Sequence, residues 1–285
     1  MAAALLHQRC RRVLHQGRLS RDPELPGARP VQRGAVPRPL QTGPGRPVSE
    51  DEPATTAGRL RIVATPIGNL ADLSPRAREA LLSADLIACE DTRRAGRLFQ
   101  SLGASGRDRR PPLLPLHDHN EDRQIGRVLE RLEQGDAVAL VSDAGTPLVS
   151  DPGYRLARAA VARNIPVEAL PGPSAILAAL VVSGLPPYPF TFLGFPPPKK
   201  GKRRRFFEAH AEVAHTVVFF ESPQRAAASL ADAAAAFGEA REAAVARELT
   251  KLHEEVLRGS LAEVAADVAE RGKLRGEVTV VVAGK

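Results

Sequence analysis

The sequence predicts an α/β protein of two subdomains, preceded by an irregular N-terminal extension. Three observations carry this. From residue 58 to about 170, short β-rich runs alternate with helix-period segments, the pattern of a parallel sheet with helices on both sides. After about 173 the strands lie closer together, which points to a mixed or antiparallel sheet. Small, polar and charged residues follow five consecutive strands, where open α/β sheets bind ligands, so a cleft is expected there. The expected divisions are 1–57, 58–172 and 173–285.

Composition narrows the class. The chain has 285 residues, 43% of them hydrophobic, enough to bury a large core. Its two cysteines, Cys10 and Cys89, exclude a disulfide scaffold and a Cys-rich zinc or iron–sulfur module and fit a reducing compartment. No apolar run reaches the roughly 18–20 residues of a membrane span, so no membrane partner and a cytoplasmic protein are expected. Aromatics are 4% and Trp is absent, against single-strand binding by stacked rings. Net charge is +7. Residues 1–57 carry nine arginines and no lysine against five acids, which accounts for four of those charges. Eight prolines between 23 and 53 forbid a long helix or central strand, so this extension is expected to be disordered. Met1–Ser20 has two readings, a basic amphipathic transit peptide or an extension upstream of the true start.

The elements follow in order. Leu60–Ala64 is a β-rich run that ends in the turn Thr65-Pro66-Ile67-Gly68-Asn69. Ser74 caps a helix with Pro75 at its first position, apolar through Leu82. Asp85–Cys89 is a strand, Thr92–Leu102 a helix, and Pro112–Leu116 a third strand. Glu121–Gln134 is amphipathic, with Ile125, Val128, Leu129 and Leu132 on one face. Ala137–Val141 is apolar throughout, as a strand buried on both faces should be. A helix near 153–163 and a strand near 166–170 complete this half. In the second half, Pro173-Ser174 opens a small-residue helix to about Ser183. Strands are expected at Phe190–Phe195, His215–Phe220, Ala243–Arg247, Glu254–Arg258 and Glu277–Ala283, with helices near 223–236 and 260–271.

The chemistry-bearing residues sit behind the strands. They are Thr65–Asn69, Glu90-Asp91-Thr92-Arg93-Arg94, His117–Glu121, Ser142–Pro147 running on to Ser150–Gly153, and Pro171–Ser174. Gly145 and Gly153 allow conformations closed to other residues and let a ligand approach the main chain. There is no P-loop, no G-x-G-x-x-G after the first strand and no nucleophile elbow. His117-x-His119 with Asp118 and Glu121 has metal-ligand residue types, but no distant third ligand stands out, and no metal is expected. Lys199-Lys200-Gly201-Lys202-Arg203-Arg204-Arg205 packs six positive charges into seven residues between a strand and a helix start. With Arg93, Arg94 and Arg97 it predicts phosphate contact, against the alternative of a solvated face.

Together these motifs resemble one family. They are Val63–Leu70, Glu90–Arg93, His119–Glu121, Val141–Pro147, Ser150–Tyr154, Pro171–Ala175, Lys199–Arg204, Phe220-Glu221-Ser222-Pro223 and Ala246–Lys251. From about residue 59 to 284, in order and at similar spacing, the sequence is similar to the bacterial 16S ribosomal RNA (cytidine-2′-O)-methyltransferases. The resemblance implies the tetrapyrrole-methylase fold, with S-adenosylmethionine in the cleft between two α/β subdomains. It implies 2′-O-methylation of a cytidine ribose in the decoding region, on 16S ribosomal RNA within the small subunit, by a homodimer. Carried over residue by residue, the cofactor positions are Thr65, Pro66, Gly68, Asn69, Asp143, Ala144, Gly145, Thr146, Pro147, Ser150, Asp151, Pro171, Gly172, Pro173, Ser174, Glu221 and Ser222. The RNA positions are Arg93, Arg94, Lys199, Lys200, Lys202, Arg203 and Arg204. Glu90, Asp91, Glu248 and Lys251 are the catalytic candidates, with Asp143 a further carboxylate in reach; for each the alternative is a structural cap or ion pair. The Arg/Pro extension, the absence of a helical segment after the last strand, and Asp118 where members often carry Glu depart from the family pattern. Other readings are methylation of a tetrapyrrole or a modified histidine by the same fold, and a non-catalytic RNA-binding or ribosome-assembly protein.

Overall fold

The structure, a computed structural model, describes residues 58–104, 106, 110–117 and 120–285. The expectations for residues 1–57 lie outside the described residues. The first sheet holds β1 (Arg59–Val63), β2 (Leu86–Cys89), β3 (Leu113–Pro115), β4 (Ala137–Val141) and β5 (Val167–Leu170) in the order β3-β2-β4-β1-β5, every pair parallel. Its helices are α1 (Pro75–Leu82), α2 (Thr92–Ser101), α3 (Glu121–Glu133) and α4 (Tyr154–Ala162). Side chains alternate along each strand, so both faces are buried. Val63, Ile87, Ala139 and Val141 pack with Ala77, Leu81 and Phe99 of α1 and α2. Leu60, Ala88, Val138 and Leu140 pack with Val128, Leu132, Leu156 and Ala160 of α3 and α4.

Neighbouring β2 and β4 send their chains in opposite directions, one towards β3 and the other towards β5. Their carboxyl ends therefore form the switch point where such sheets open a crevice. Local chemistry ends and starts the helices there. Ser74 Oγ accepts the Ala77 N–H at 3.1 Å, with Pro75 at the first helical position. Asp91 caps α2 by accepting the Arg93 N–H at 2.8 Å.

The second sheet holds β6 (Phe190–Phe192), β7 (Thr216–Glu221), β8 (Glu242–Arg247), β9 (Glu255–Ser260) and β10 (Val278–Val282) in the order β6-β7-β10-β8-β9. Only the β6–β7 pair is parallel, so the sheet is mixed. On one face lie α6 (Lys200–Glu208), α7 (Ala226–Phe237) and α8 (Leu261–Glu270), burying Phe207, Leu230, Phe237, Leu261 and Val264 against Val217, Phe219, Val245 and Val280. On the other lies α5 (Ala175–Ser183), whose Ile176, Ala179 and Leu180 meet Val218, Ala244, Ala246 and Val281. Ile67, from the loop after β1, is buried in this last cluster and ties the first sheet to the second.

The basic run departs from expectation. It does not precede a helix but forms one, because Lys and Arg are good helix formers and Lys199 already stands at the cap position. Arg203 is not a surface charge. It is 4% exposed, donates from Nε and Nη2 to Asp232 Oδ2 at 3.0 and 2.7 Å, and donates from Nη1 to the Pro198 carbonyl at 3.1 Å. The apolar face of α6 must dock on α7, and helical spacing carries Arg203 into that face beside Phe207. Truncating Asp232 to alanine should cost about 3–5 kcal/mol, because Arg203 would be left buried without its counter-charge. Urea unfolding measures this; a loss under about 1 kcal/mol would show that the pair does not anchor α6.

Candidate functional site

The loop after β4 crosses to the loop after β1. Thr65 and Gly145 exchange N–H···O bonds of 2.9 and 3.0 Å, an isolated bridge beyond the ends of both strands. Gly145 has φ of 81°, which favours glycine, and a Cβ there would stand 3.3 Å from Ile67 Cγ2. Thr146 Oγ1 donates to the Pro173 carbonyl at 3.1 Å, joining this loop to the one after β5. Ser174 then caps α5 through the Leu177 N–H at 3.4 Å. Three strand ends are thereby fixed around one opening.

That opening is a cavity of about 390 Å³. The loops at the strand ends of the first sheet contribute Ile67, Glu90, Arg94, Asp143, Ala144, Gly145, Thr146, Ser150 and Asp151 to its wall; Ser174 and Ile176 come from the start of α5. Phe195, Phe220, Glu221, Ser222 and the run Gly276–Thr279 come from the second sheet. A neighbouring cavity of about 270 Å³ is lined by Thr65, Pro66, Leu70, Arg97, Leu98 and Ser142. Arg94 and Asp143 line both cavities, paired at 3.2 Å.

Charge in the larger cavity is mostly negative. Glu90, Asp143, Asp151, Glu221 and Glu277 face a single guanidinium, Arg94, among its lining residues. Burial pushes Asp143 above the ordinary carboxylate range, and the pull of Arg94 does not fully offset it. Asp91 goes the other way: the hydrogen bonds from Arg93 hold it below that range. The Asp91 N–H also donates to Asp143 Oδ1 at 3.2 Å. Burial pushes the Cys89 thiol up to about 12, with Asp143 and Asp91 adding to it, so this thiol is inert. Glu221 Oε1 is saturated by Ser222 and Arg225, while its Oε2 is buried with no hydrogen-bond partner. Volume, acidic wall and apolar Ile176, Phe195 and Phe220 together suit a cationic small molecule with a flat apolar part.

The sequence-predicted residues divide into several groups. Glu90, Asp143, Ala144, Gly145, Thr146, Ser150, Asp151, Ser174, Glu221 and Ser222 share the larger cavity. Thr65 and Pro66 line the smaller one. Pro147, Pro171, Gly172 and Pro173 belong to the supporting loops without forming the wall. Asn69 caps a short turn through the Ala71 N–H. Asp91 is a helix cap engaged by Arg93, the structural alternative for that residue. Glu248 and Lys251 stand outside the cavity wall. They pair at 2.8 Å, not in a helix but in a turn where Glu248 and Thr250 take φ of 52° and 67°. Burial opposes both charges, yet the mutual bond and Glu277 outweigh it, lowering Glu248 and raising Lys251. Lys199, Lys200, Lys202 and Arg204 are exposed, as are Arg93 and Arg94. Of the possible metal loop, His117 and Glu121 are described and Asp118 and His119 lie outside the described residues; among the described residues no His, Cys, Asp or Glu cluster is arranged to hold a metal. Missed by sequence reasoning were Phe195, which follows β6 and lies against Phe220 of β7, and Gly276–Thr279, which reach the cavity through the pairing of β7 with β10. No local signal marks them.

A doubly wound parallel sheet joined to a mixed sheet, with a cavity at the strand ends, is the architecture of a particular methylase class. Residues 59–265 match the family model of tetrapyrrole (corrin/porphyrin) methylases, and the chain belongs to that family. Within it, the chain stands with the ribosomal RNA small subunit methyltransferase I sequences. It is 49% identical over 231 residues to the Xylella fastidiosa (strain Temecula1) protein of that name, covering 81% of this chain and 83% of the relative. It is 47% identical over 230 residues to the Pseudomonas aeruginosa protein of that name, covering 80% of each. Among solved structures it is similar in fold to uroporphyrin-III-C-methyltransferase from Thermus thermophilus, with TM-score 0.54, 19% identity, and 79% and 94% of the two chains covered. It is likewise similar to a diphthine synthase, with TM-score 0.61, 15% identity, and 80% and 90% covered.

Gly68 tests the closeness of the two halves. A Cβ there would fall 2.3 Å from Lys251 Cγ and 3.0 Å from the Leu249 carbonyl. Gly68→Ala should lower stability by about 1–3 kcal/mol, read as a lower unfolding midpoint. An unchanged midpoint would mean that this contact yields freely.

Proposed function

We propose that this protein transfers a methyl group from S-adenosylmethionine to the 2′-hydroxyl of a cytidine in 16S ribosomal RNA, within the small ribosomal subunit. The observation that carries the reading is an acidic cavity of cofactor size at the strand ends, together with a helix whose exposed residues are basic, in a chain 49% identical to ribosomal RNA small subunit methyltransferase I. The bound cofactor supplies an electrophilic methyl group on a sulfonium. The chain's part is to position and to take a proton. The loops Asp143–Thr146 and Ser150–Asp151, with Ser174, Glu221 and Ser222, hold the cationic cofactor. The acceptor ribose approaches beside the Arg94–Asp143 pair. A ribose hydroxyl attacks well only as its proton leaves. Of Glu90, Asp91, Asp143, Glu248 and Lys251, Glu90 and Asp143 line the cavity; Asp143 belongs to the loop assigned to the cofactor, so proton removal is assigned to Glu90. Lys199, Lys200, Lys202 and Arg204, with Arg93, meet RNA phosphates; Arg203 holds the helix in place instead.

The deciding experiment is transfer of labelled methyl to small subunits lacking the modification, followed by mapping of the labelled nucleotide. Label on one cytidine ribose supports the reading, and Glu90→Gln should slow that transfer by about 10²–10⁴-fold with cofactor affinity little changed. Cofactor binding without label on RNA would turn the assignment towards a tetrapyrrole or protein acceptor. RNA binding without cofactor binding would leave a non-catalytic RNA-binding protein.

The basic helix makes a separate prediction. Replacing Lys199, Lys200, Lys202 and Arg204 with glutamine should weaken RNA binding and flatten its salt dependence, by roughly one unit of slope per lost phosphate contact. An unaltered slope would mean that the helix face is only solvated.

A further inference from the structure

Phe195 follows β6 and lines the cavity, yet it is 55% exposed, so it stands at the mouth. Single exposed apolar side chains are common and need no purpose. Place and bracing set this one apart. Of the exposed aromatics among the described residues, Tyr154, Tyr188, Phe190 and Phe195, only Phe195 lines the cavity. Its ring rests on Phe220, with centroids 5.4 Å apart, and Phe220 in turn meets Phe192 edge-on at 4.9 Å. The backbone on either side of Phe195 is held as well. The Gly194 carbonyl accepts the Phe220 N–H at 3.0 Å. The Pro198 carbonyl accepts a bond from Arg203, which is itself buried against Asp232. Pro196, Pro197 and Pro198 each have φ fixed by their rings, so this segment is a stiff strut. It runs straight into the start of α6, where Lys199, Lys200, Lys202 and Arg204 are exposed. The four residues from Phe195 to Lys199 span at most about 14 Å. A cavity mouth, an apolar ring and a group of cations therefore lie within reach of one short stretch of RNA.

We infer that Phe195 is a stacking platform for a nucleobase of the RNA substrate, placed so that the ribose of that nucleotide enters the cavity while α6 takes neighbouring phosphates. This rests on the methyl-transfer reading above and adds the acceptor's base contact to it. Chemistry inside a cavity needs a nucleotide that has left its stacked neighbours, and leaving them costs energy. A ring already fixed at the mouth returns part of that stacking on the protein. The adenine of the cofactor is the poorer match. A small-molecule site encloses most of its ligand, whereas Phe195 keeps more than half its surface in water, on the segment that continues into α6. Every base has a π face, so the platform presents a nucleotide without choosing its identity. One such ring agrees with the low aromatic content of the chain, which speaks against rows of them.

Methylation of small subunits lacking the modification tests this with the full chain and S-adenosylmethionine. Phe195→Ala should lower kcat/KM for the subunits about five- to a hundredfold, with calorimetric affinity for S-adenosylmethionine within about twofold of the unmodified protein. Phe195→Leu keeps apolar bulk without a π face and should stay near the alanine variant, whereas Phe195→Tyr should recover most of the loss. The chain has no tryptophan, so Phe195→Trp sets one indole at the mouth, and saturating 16S ribosomal RNA should quench its emission. Unchanged kcat/KM in Phe195→Ala overturns the inference and leaves the methyl-transfer reading standing. So does full recovery in Phe195→Leu, which reduces the ring to packing. A loss of cofactor affinity as large as the loss in kcat/KM overturns it too, by giving the ring to the adenine. Unquenched emission with RNA bound does the same without appeal to turnover. If the unmodified protein binds S-adenosylmethionine but methylates no subunit RNA, the methyl-transfer reading itself falls and takes this contact with it.

Discussion

The site depends on how closely the loop after β1 approaches the second sheet. Ile67 is buried among α5, β8 and β10, and Gly68 lies against the Leu249–Lys251 turn so tightly that a methyl group would not fit. That contact, with the Thr65–Gly145 bridge, brings strand ends of two separate sheets to the same opening. Neither sheet encloses the cavity by itself. The first supplies carboxylates and backbone at its switch point; the second supplies phenylalanines, Glu221 and the start of β10. Small residues at the crossing allow this, since any bulk there would hold the sheets apart.

Charge is sorted by location. The cavity concentrates carboxylates although the whole chain is basic, while exposed positive charge collects on α6. Burial strengthens the field inside the cavity, and solvent screens the helix outside. Negative and positive charge are thus gathered at different places on the molecule. Arg203 and Asp232 connect the two arrangements, because their buried pair sets how α6 stands and which of its cations face outward.

Much of this was legible in the sequence. Ser74 with Pro75 gave the start of α1, and the apolar run Ala137–Val141 correctly announced a strand covered on both faces. The polar loops behind four of the five strands line the two cavities, since residues such as Asp143 and Gly145 serve no plain strand or helix, whereas the described residues of the loop after β3 line neither. Long-range pairing was not legible. Gly276–Thr279 reads as the lead-in to an ordinary strand, and only the β7–β10 ladder brings it beside Glu221. The inward turn of Arg203 was hidden for a similar reason: in a run of like charges, the member that is buried is chosen by a partner on another helix. Glu248 and Lys251 pair as their spacing allows, but the left-handed backbone of that turn carries them out of the cavity wall.

The placement of β10 bears on how the protein is made. It is the central strand of the second sheet, hydrogen-bonded to β7 on one side and β8 on the other, yet it follows both in the chain. During synthesis β7 and β8 must wait with unpaired edges while α8 emerges, and Val278 and Thr279 reach the cavity wall last of all. The parallel sheet is complete on paper by residue 170, much earlier. A nascent chain would therefore pass through a stage with one finished half and one open sheet. Ligand binding would begin only after the last of these strands had left the exit tunnel, so that an incompletely translated chain has no half-working site to compete with the finished one.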